Sequence, residues 1–121
     1  MKLFIDKESR VGDVKKIFTS CYPFLKIELY KKSFANNFIA VKKEPLAATV
    51  RINEFMHAAN EIVIDISHNV TVAELESQFD DIGFITEVFR KSGNVWIASS
   101  LTDNWTLQQQ NAEGKEISSH F

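Results

Sequence analysis

Phe89–Ile97 reads FRKSGNVWI. It sits inside a run, Phe84–Lys91, that meets Ser92-Gly93-Asn94 and continues as Val95–Ser99. Glycine beside asparagine supplies the backbone angles a tight turn needs, so the stretch predicts two antiparallel strands joined as a hairpin. Upstream, Tyr30–Ile39 reads YKKSFANNFI, which keeps the basic pair and the serine but has a longer turn without glycine. The same shape written twice in 121 residues raises internal duplication as the first question about the fold.

The flanks of the two stretches answer it in outline. In the first half, Leu3-Phe4-Ile5 is a short strand ended by Asp6. Val11, Val14, Ile17, Phe18 and Cys21 then fall on one face of a helix. Tyr22-Pro23 stops it, because a residue before proline avoids helical angles. Leu25, Ile27 and Leu29 alternate with Lys26, Glu28 and Tyr30, the mark of a half-buried strand. Phe38–Val41 reads as a third strand, and Pro45–Ala59 as a helix opened by Pro45, with Ala48, Ile52, Phe55 and Ala59 at helical spacing and an extended Thr49–Ile52 as the alternative.

The second half repeats the plan. Ile62, Ile64 and Ile66 alternate as a strand. Thr71 and Glu74 form a capping box, in which each side chain takes up a free N–H at the helix start. Val72, Leu75, Phe79 and Ile82 form the buried stripe, and Gly83 supplies the left-handed angles that end the helix. After the hairpin, Thr102 or Asp103 caps a last helix to Glu113 with Gly114 as its stop, and residues 115–121 read as a tail.

Laid over each other, LFID at Leu3–Asp6 matches IVID at Ile62–Asp65, and RVGDVKKIF at Arg10–Phe18 matches TVAELESQF at Thr71–Phe79. Likewise LYKKS matches VFRKS. The offset drifts over about 58 to 61 residues as loops differ. The expected fold is therefore α+β, a single domain over residues 1–121 built as a tandem β-α-β-β-α duplication, with pseudo-repeats 1–59 and 60–114. About six mainly antiparallel strands, in one sheet or two packed sheets, would carry helices on one face. The first and second strands of each unit remain open as parallel neighbours.

Bulk composition narrows the function. Hydrophobic residues make up 45% and charged residues 25%, an ordinary globular profile. Fourteen basic against sixteen acidic residues give a net charge of −2, without the basic excess of a nucleic-acid binder. Cys21 is the only cysteine, which excludes an intrachain disulfide and suits a reducing cytoplasm. The apolar run near Met1 is too short for a signal peptide, and no stretch has the length of a membrane span. The expected location is cytoplasmic, with no membrane and no nucleic-acid partner.

Motifs for chemistry are missing. His57, His68 and His120 are scattered and lack the short spacing of a zinc site. Asp80 and Asp81 point about 100° apart on a helix and do not converge on an ion. Cys21 falls near a helix C-terminus, away from the settings that activate a thiolate. No glycine-rich phosphate loop or cofactor motif occurs, so no cofactor is expected. Asp6 and Asp65 occupy matched places in the repeat, and two carboxylates brought close would suit acid–base catalysis. The alternative is that each ends its strand and accepts turn hydrogen bonds. Trp96 alternates with Val95 and Ile97, so it falls on the open sheet face if those two point inward. There Trp96, with Trp105, would serve as a ligand or partner surface, or Trp105 would cover it from the last helix.

The doubled strand-helix-strand-strand plan resembles, in topology, the duplicated effector-binding domains of some bacterial regulators. The segment FRKSGNVWIASSLTDNWTLQQQNAEG is similar to one recurring in small uncharacterised bacterial proteins. Neither resemblance supplies an activity or a motif. The residues favour a non-catalytic binding or protein-interaction module, with a homodimer as a possible assembly. A small-molecule site between the repeats is the second expectation, and a carboxylate enzyme using Asp6 and Asp65 the third.

Overall fold

A computed structural model describes residues 1–32, 44–54 and 61–120. The order is β1 (Lys2–Ile5), α1 (Val11–Cys21), β2 (Leu25–Lys31), a 3-10 turn at Ile52–Glu54, and β3 (Ile62–Asp65). Then follow α2 (Val72–Asp80), β4 (Phe84–Ser92), β5 (Val95–Ala98), a second 3-10 turn at Ser100–Thr102, and α3 (Leu107–Ser118). The class is α+β, with three helices and five strands among the described residues. The strand expected at Phe38–Val41 lies outside them.

The strands form two antiparallel sheets, β1-β3 and β2-β4-β5. The first strand of each half therefore pairs with its counterpart, and so does the second. Neither β1 and β2 nor β3 and β4 are parallel neighbours. Phe4 faces Val63 and Glu28 faces Glu87. These two pairs are equally far apart in sequence.

Alternation sets what is buried. Leu25, Ile27 and Leu29 of β2, with Phe84 and Val88 of β4, are buried on one sheet face. They join Val11, Val14 and Phe18 of α1, Val72, Leu75 and Phe79 of α2, and Leu3, Ile5 and Ile64 of the β1-β3 ribbon in one core. Helix α1 packs on both β1 and β2, and α2 on both β3 and β4, so each helix ties the ribbon to the larger sheet. Burying one such aliphatic side chain is worth about 2 kcal/mol.

The helix starts are completed from distant chain. The first N–H groups of a helix have no partner within it. In α1, Val11 and Gly12 donate to the carbonyls of Val50 and Ala48, both at 2.9 Å. In α2, Val72 and Ala73 donate to Trp105 and Asp103 at 3.1 and 2.8 Å. Ile52 donates to Ser9 at 3.0 Å, and Leu107 to Val70 at 2.8 Å. Leu46 donates to Leu29 at 2.7 Å, and Ser99 to Val88 at 3.0 Å. Each bond of the first half thus has a matching bond in the second.

This arrangement corrects two expected helices. The described part of Pro45–Ala59 is irregular up to Arg51, with only a 3-10 turn at Ile52–Glu54. The carbonyls of Ala48 and Val50 serve α1 and are not spent on an internal helix ladder. The last helix starts at Leu107 behind Thr106, which accepts from the Gln109 N–H at 3.1 Å. It passes Gly114 and ends at Ser118. Gly114 is a contact point within the helix: a Cβ there would stand 2.9 Å from the Phe24 Cβ. The capping box of Thr71 and Glu74 is present, and Gly83 takes a φ of 99°.

Candidate functional site

Strand β5 ends the larger sheet, and all four of its residues are exposed. Ser92 pairs with Val95 across the Gly93-Asn94 turn, where Gly93 adopts a φ of 65°. Lys91 then faces Trp96, Arg90 faces Ile97 and Phe89 faces Ala98. The Ser99 N–H points at Val88 on β4. Backbone direction alternates along a strand, so Val95 and Ile97 also turn their polar groups toward β4. Trp96 and Ala98 turn theirs outward, to a side with no neighbouring strand among the described residues.

The side chains are as open as the backbone. Val95 is 58% exposed, Trp96 36% and Ile97 44%, and Leu101 in the next turn is 96% exposed. Helix α3 packs over β4 and β2, so β5 overhangs its cover. From Ser92 to Thr102 no residue carries a charge. Edge strands are usually blunted by lysine, proline or a bulge. The only such device on β5 is its four-residue length.

The register separates the two tryptophans. Trp96 shares the face away from the helices with Phe89 and Lys91. The Lys26 ammonium lies 5.2 Å from the Trp96 ring and 5.4 Å from the Phe89 ring. Trp105 lies on the helix side, where the Arg90 guanidinium stacks over it at 5.6 Å. The expected cover of Trp96 by Trp105 is therefore not formed, since the sheet stands between the two rings. Trp96 keeps its open face and Trp105 packs from behind β4.

Asp6 and Asp65 are not brought together either. Asp65 stands opposite Lys2, at the far end of the ribbon from Ile5 and Asp6. Four residues of extended chain put about 13 Å between them. Each accepts local turn bonds instead. The Asp6 carboxylate takes the Glu8 N–H at 2.8 Å, and the Asp65 carboxylate takes the Ser67 N–H at 2.9 Å and the Ser67 hydroxyl. The hydroxyl bond, then the N–H bond, hold the Asp65 carboxyl below the ordinary carboxylate range. An acid–base pair would need the opposite, one carboxyl raised by a close neighbour.

Other candidate groups are dispersed. His68 sets its ring edge-on to Tyr22 at 5.9 Å, His120 meets Glu116 at 3.1 Å, and His57 lies outside the described residues. Among the described residues no three His, Cys, Asp or Glu side chains gather to hold a metal ion. No described helix is long and apolar enough to cross a membrane. The surface carries open grooves, one of about 480 Å³ beside Trp105, Gln109 and Glu113 of the second half. Another, of about 450 Å³, reaches from Phe24 of the first half to Lys91, Asn94 and Lys115.

The signal for Trp96 was its alternation in the sequence. The exposure of Val95 and Ile97 had none, because alternation implies a covered face and β5 lacks cover on both. Known protein families, curated proteins and solved structures contain no match to this chain.

Proposed function

We propose that this chain is a non-catalytic protein-interaction module that engages its partner along the outer edge of β5. One observation carries the reading. An edge strand exposes every side chain, leaves the polar groups of Trp96 and Ala98 pointing outward, and lies in an uncharged stretch from Ser92 to Thr102. Strand addition at such an edge draws affinity from main-chain hydrogen bonds and specificity from alternate side chains. A centrally placed aromatic such as Trp96 is the residue type that dominates interface energies.

We read the architecture as a tandem duplication whose copies have diverged in use. The four pairs of matching backbone bonds, and the pairing of β1 with β3 and of β2 with β4, support this. The residues that correspond to β5 lie in 38–41, outside the described part. The interaction edge is assigned to the second copy because Trp96 has only Phe38 or Ile39 as its counterpart in the first, and Gly93 has no glycine counterpart there.

Ile97→Lys tests the module reading. Ile97 is 44% exposed, so the variant keeps its fold, as circular dichroism will check. Wild-type bait in extracts of the native cells is expected to retain a protein that the variant loses. The purified protein should then rebind and protect the amides of residues 95–98 from hydrogen exchange. Equal retention by both baits, retention of nothing above control, or binding that leaves β5 unprotected would overturn the reading.

A further inference from the structure

We infer that the β5 edge takes an extended peptide segment with acidic side chains, added to the sheet as a further strand. This rests on the interaction reading above and names the chemistry of the partner.

Charge on the open face selects the occupant. Lys26 and Lys91 flank Trp96, and neither has a carboxylate partner among the described residues. The acids further along the same face are already engaged. Glu28 accepts from Lys15 at 2.8 Å, and Glu87 accepts from the Tyr30 hydroxyl at 3.2 Å. The β5 end of the sheet therefore carries two uncompensated ammonium groups, and that of Lys26 already leans across β4 to the Trp96 ring. A strand added about 4.8 Å outside β5 would set alternate side chains level with Trp96 on that face. Acidic residues there meet both lysines. The intervening residues fall beside Val95 and Ile97 on the other face and are expected to be apolar.

The same charges disfavour the two competing occupants. A second copy pairing through its own β5 offers no acid, since Ser92–Thr102 is uncharged. It would also gather four ammonium groups on one face of the joined sheet. A nucleic-acid strand would satisfy the lysines and stack on Trp96. It has no alternating N–H and C=O ladder to complete the outward groups of Trp96 and Ala98, and the chain carries a net charge of −2.

The test uses the whole chain and three synthetic peptides of about ten residues, alternating Val with Glu, Gln or Lys, a length suited to strand addition. Binding is read by titration and by hydrogen-exchange protection of the Trp96 and Ala98 amides. The Glu-Val peptide is expected to bind at least about tenfold more tightly than Gln-Val, a difference of about 1.4 kcal/mol. Lys-Val should not bind. The double variant Lys26→Ala, Lys91→Ala should lose the preference for Glu while still binding Gln-Val. Equal affinity for Glu-Val and Gln-Val would overturn the acidic partner and leave the edge reading standing. Protection of the two amides by concentration-dependent self-association, or by a single-stranded oligonucleotide in place of Glu-Val, would assign the edge to a second copy or to nucleic acid. Absence of binding by all three peptides would also overturn the inference, whereas the edge reading itself fails on the three outcomes named for the Ile97→Lys experiment.

Discussion

Arg90 donates from Nη1 to the side-chain oxygen of Gln110 at 2.9 Å. Gln110 is fully buried, and its Nε2 donates to the carbonyl and hydroxyl of Thr102, both at 2.7 Å. One amide thus joins β4, α3 and the turn that follows β5. The arrangement also holds Arg90 against Trp105, behind the strand assigned to partner binding.

Gln110→Leu should therefore be costly although the volume is nearly kept. It leaves the Arg90 guanidinium, whose Nε is already buried without a partner, short of a second acceptor. It also removes the donor to Thr102. Unsatisfied buried groups cost about 1–3 kcal/mol each, so a loss of about 3 kcal/mol is expected in urea denaturation. A loss below about 1 kcal/mol would show that water replaces the amide.

Gly114→Ala sets helix propensity against packing. Alanine in a helix interior gains about 1 kcal/mol over glycine. The added Cβ would meet the Phe24 Cβ at 2.9 Å, the Arg90 Cγ at 3.1 Å and the Phe24 carbonyl oxygen at 3.2 Å. Overpacking of this kind costs about 1–3 kcal/mol. The backbone oxygen cannot swing aside, so the expected net effect is a loss of about 1 kcal/mol, read as a lowered Tm. A raised Tm would mean that α3 can shift away from β2.

Tyr22 makes stability fall at high pH. Its hydroxyl donates to the Ile66 carbonyl at 2.6 Å. Burial first, then the nearby Cys21 and Asp65, push its pKa from 10.0 up to about 12. The unfolded chain loses this proton near pH 10 and the folded chain holds it longer. The contribution is complete below pH 10 and disappears as pH rises toward about 12. Tyr22→Phe should cost about 1 kcal/mol at pH 7, through the lost bond. The gap between wild type and variant should close above pH 10 and reverse by about pH 12. A gap that stays constant over that window would contradict the assignment.

Local rules carried the sequence a long way. The Thr71–Glu74 capping box, Gly83 and the Gly93 turn are set within a few residues, and each stands in the structure where its neighbours in sequence put it. Partner choice is not local. Alternation identified Ile62–Ile66 as a strand but held nothing about β1 as its mate, because either face of the pattern accepts several partners. The periodicity of Ala48 and Ile52 suggested a helix, yet Ala48 lends its carbonyl to Gly12. Gly114 looked like a stop, but its missing Cβ serves the approach of Phe24. At the site, Trp96 was legible as an open-face residue. The bareness of Val95 and Ile97 was not, since it depends on where α3 stops covering the sheet.

The borrowed carbonyls at the starts of α1 and α2 set the order of assembly. An isolated helix of eleven or nine residues is too short to hold itself in water. The opening turn of α1 waits for the chain through Val50, and that of α2 waits for Trp105. A ribosome must therefore release each half almost whole before the N–H groups of Val11 and Gly12, or of Val72 and Ala73, have their partners. Early contacts depend on collapse of the core stripes, and closure of these long loops comes late, which sets folding speed by topology and leaves stability to the core.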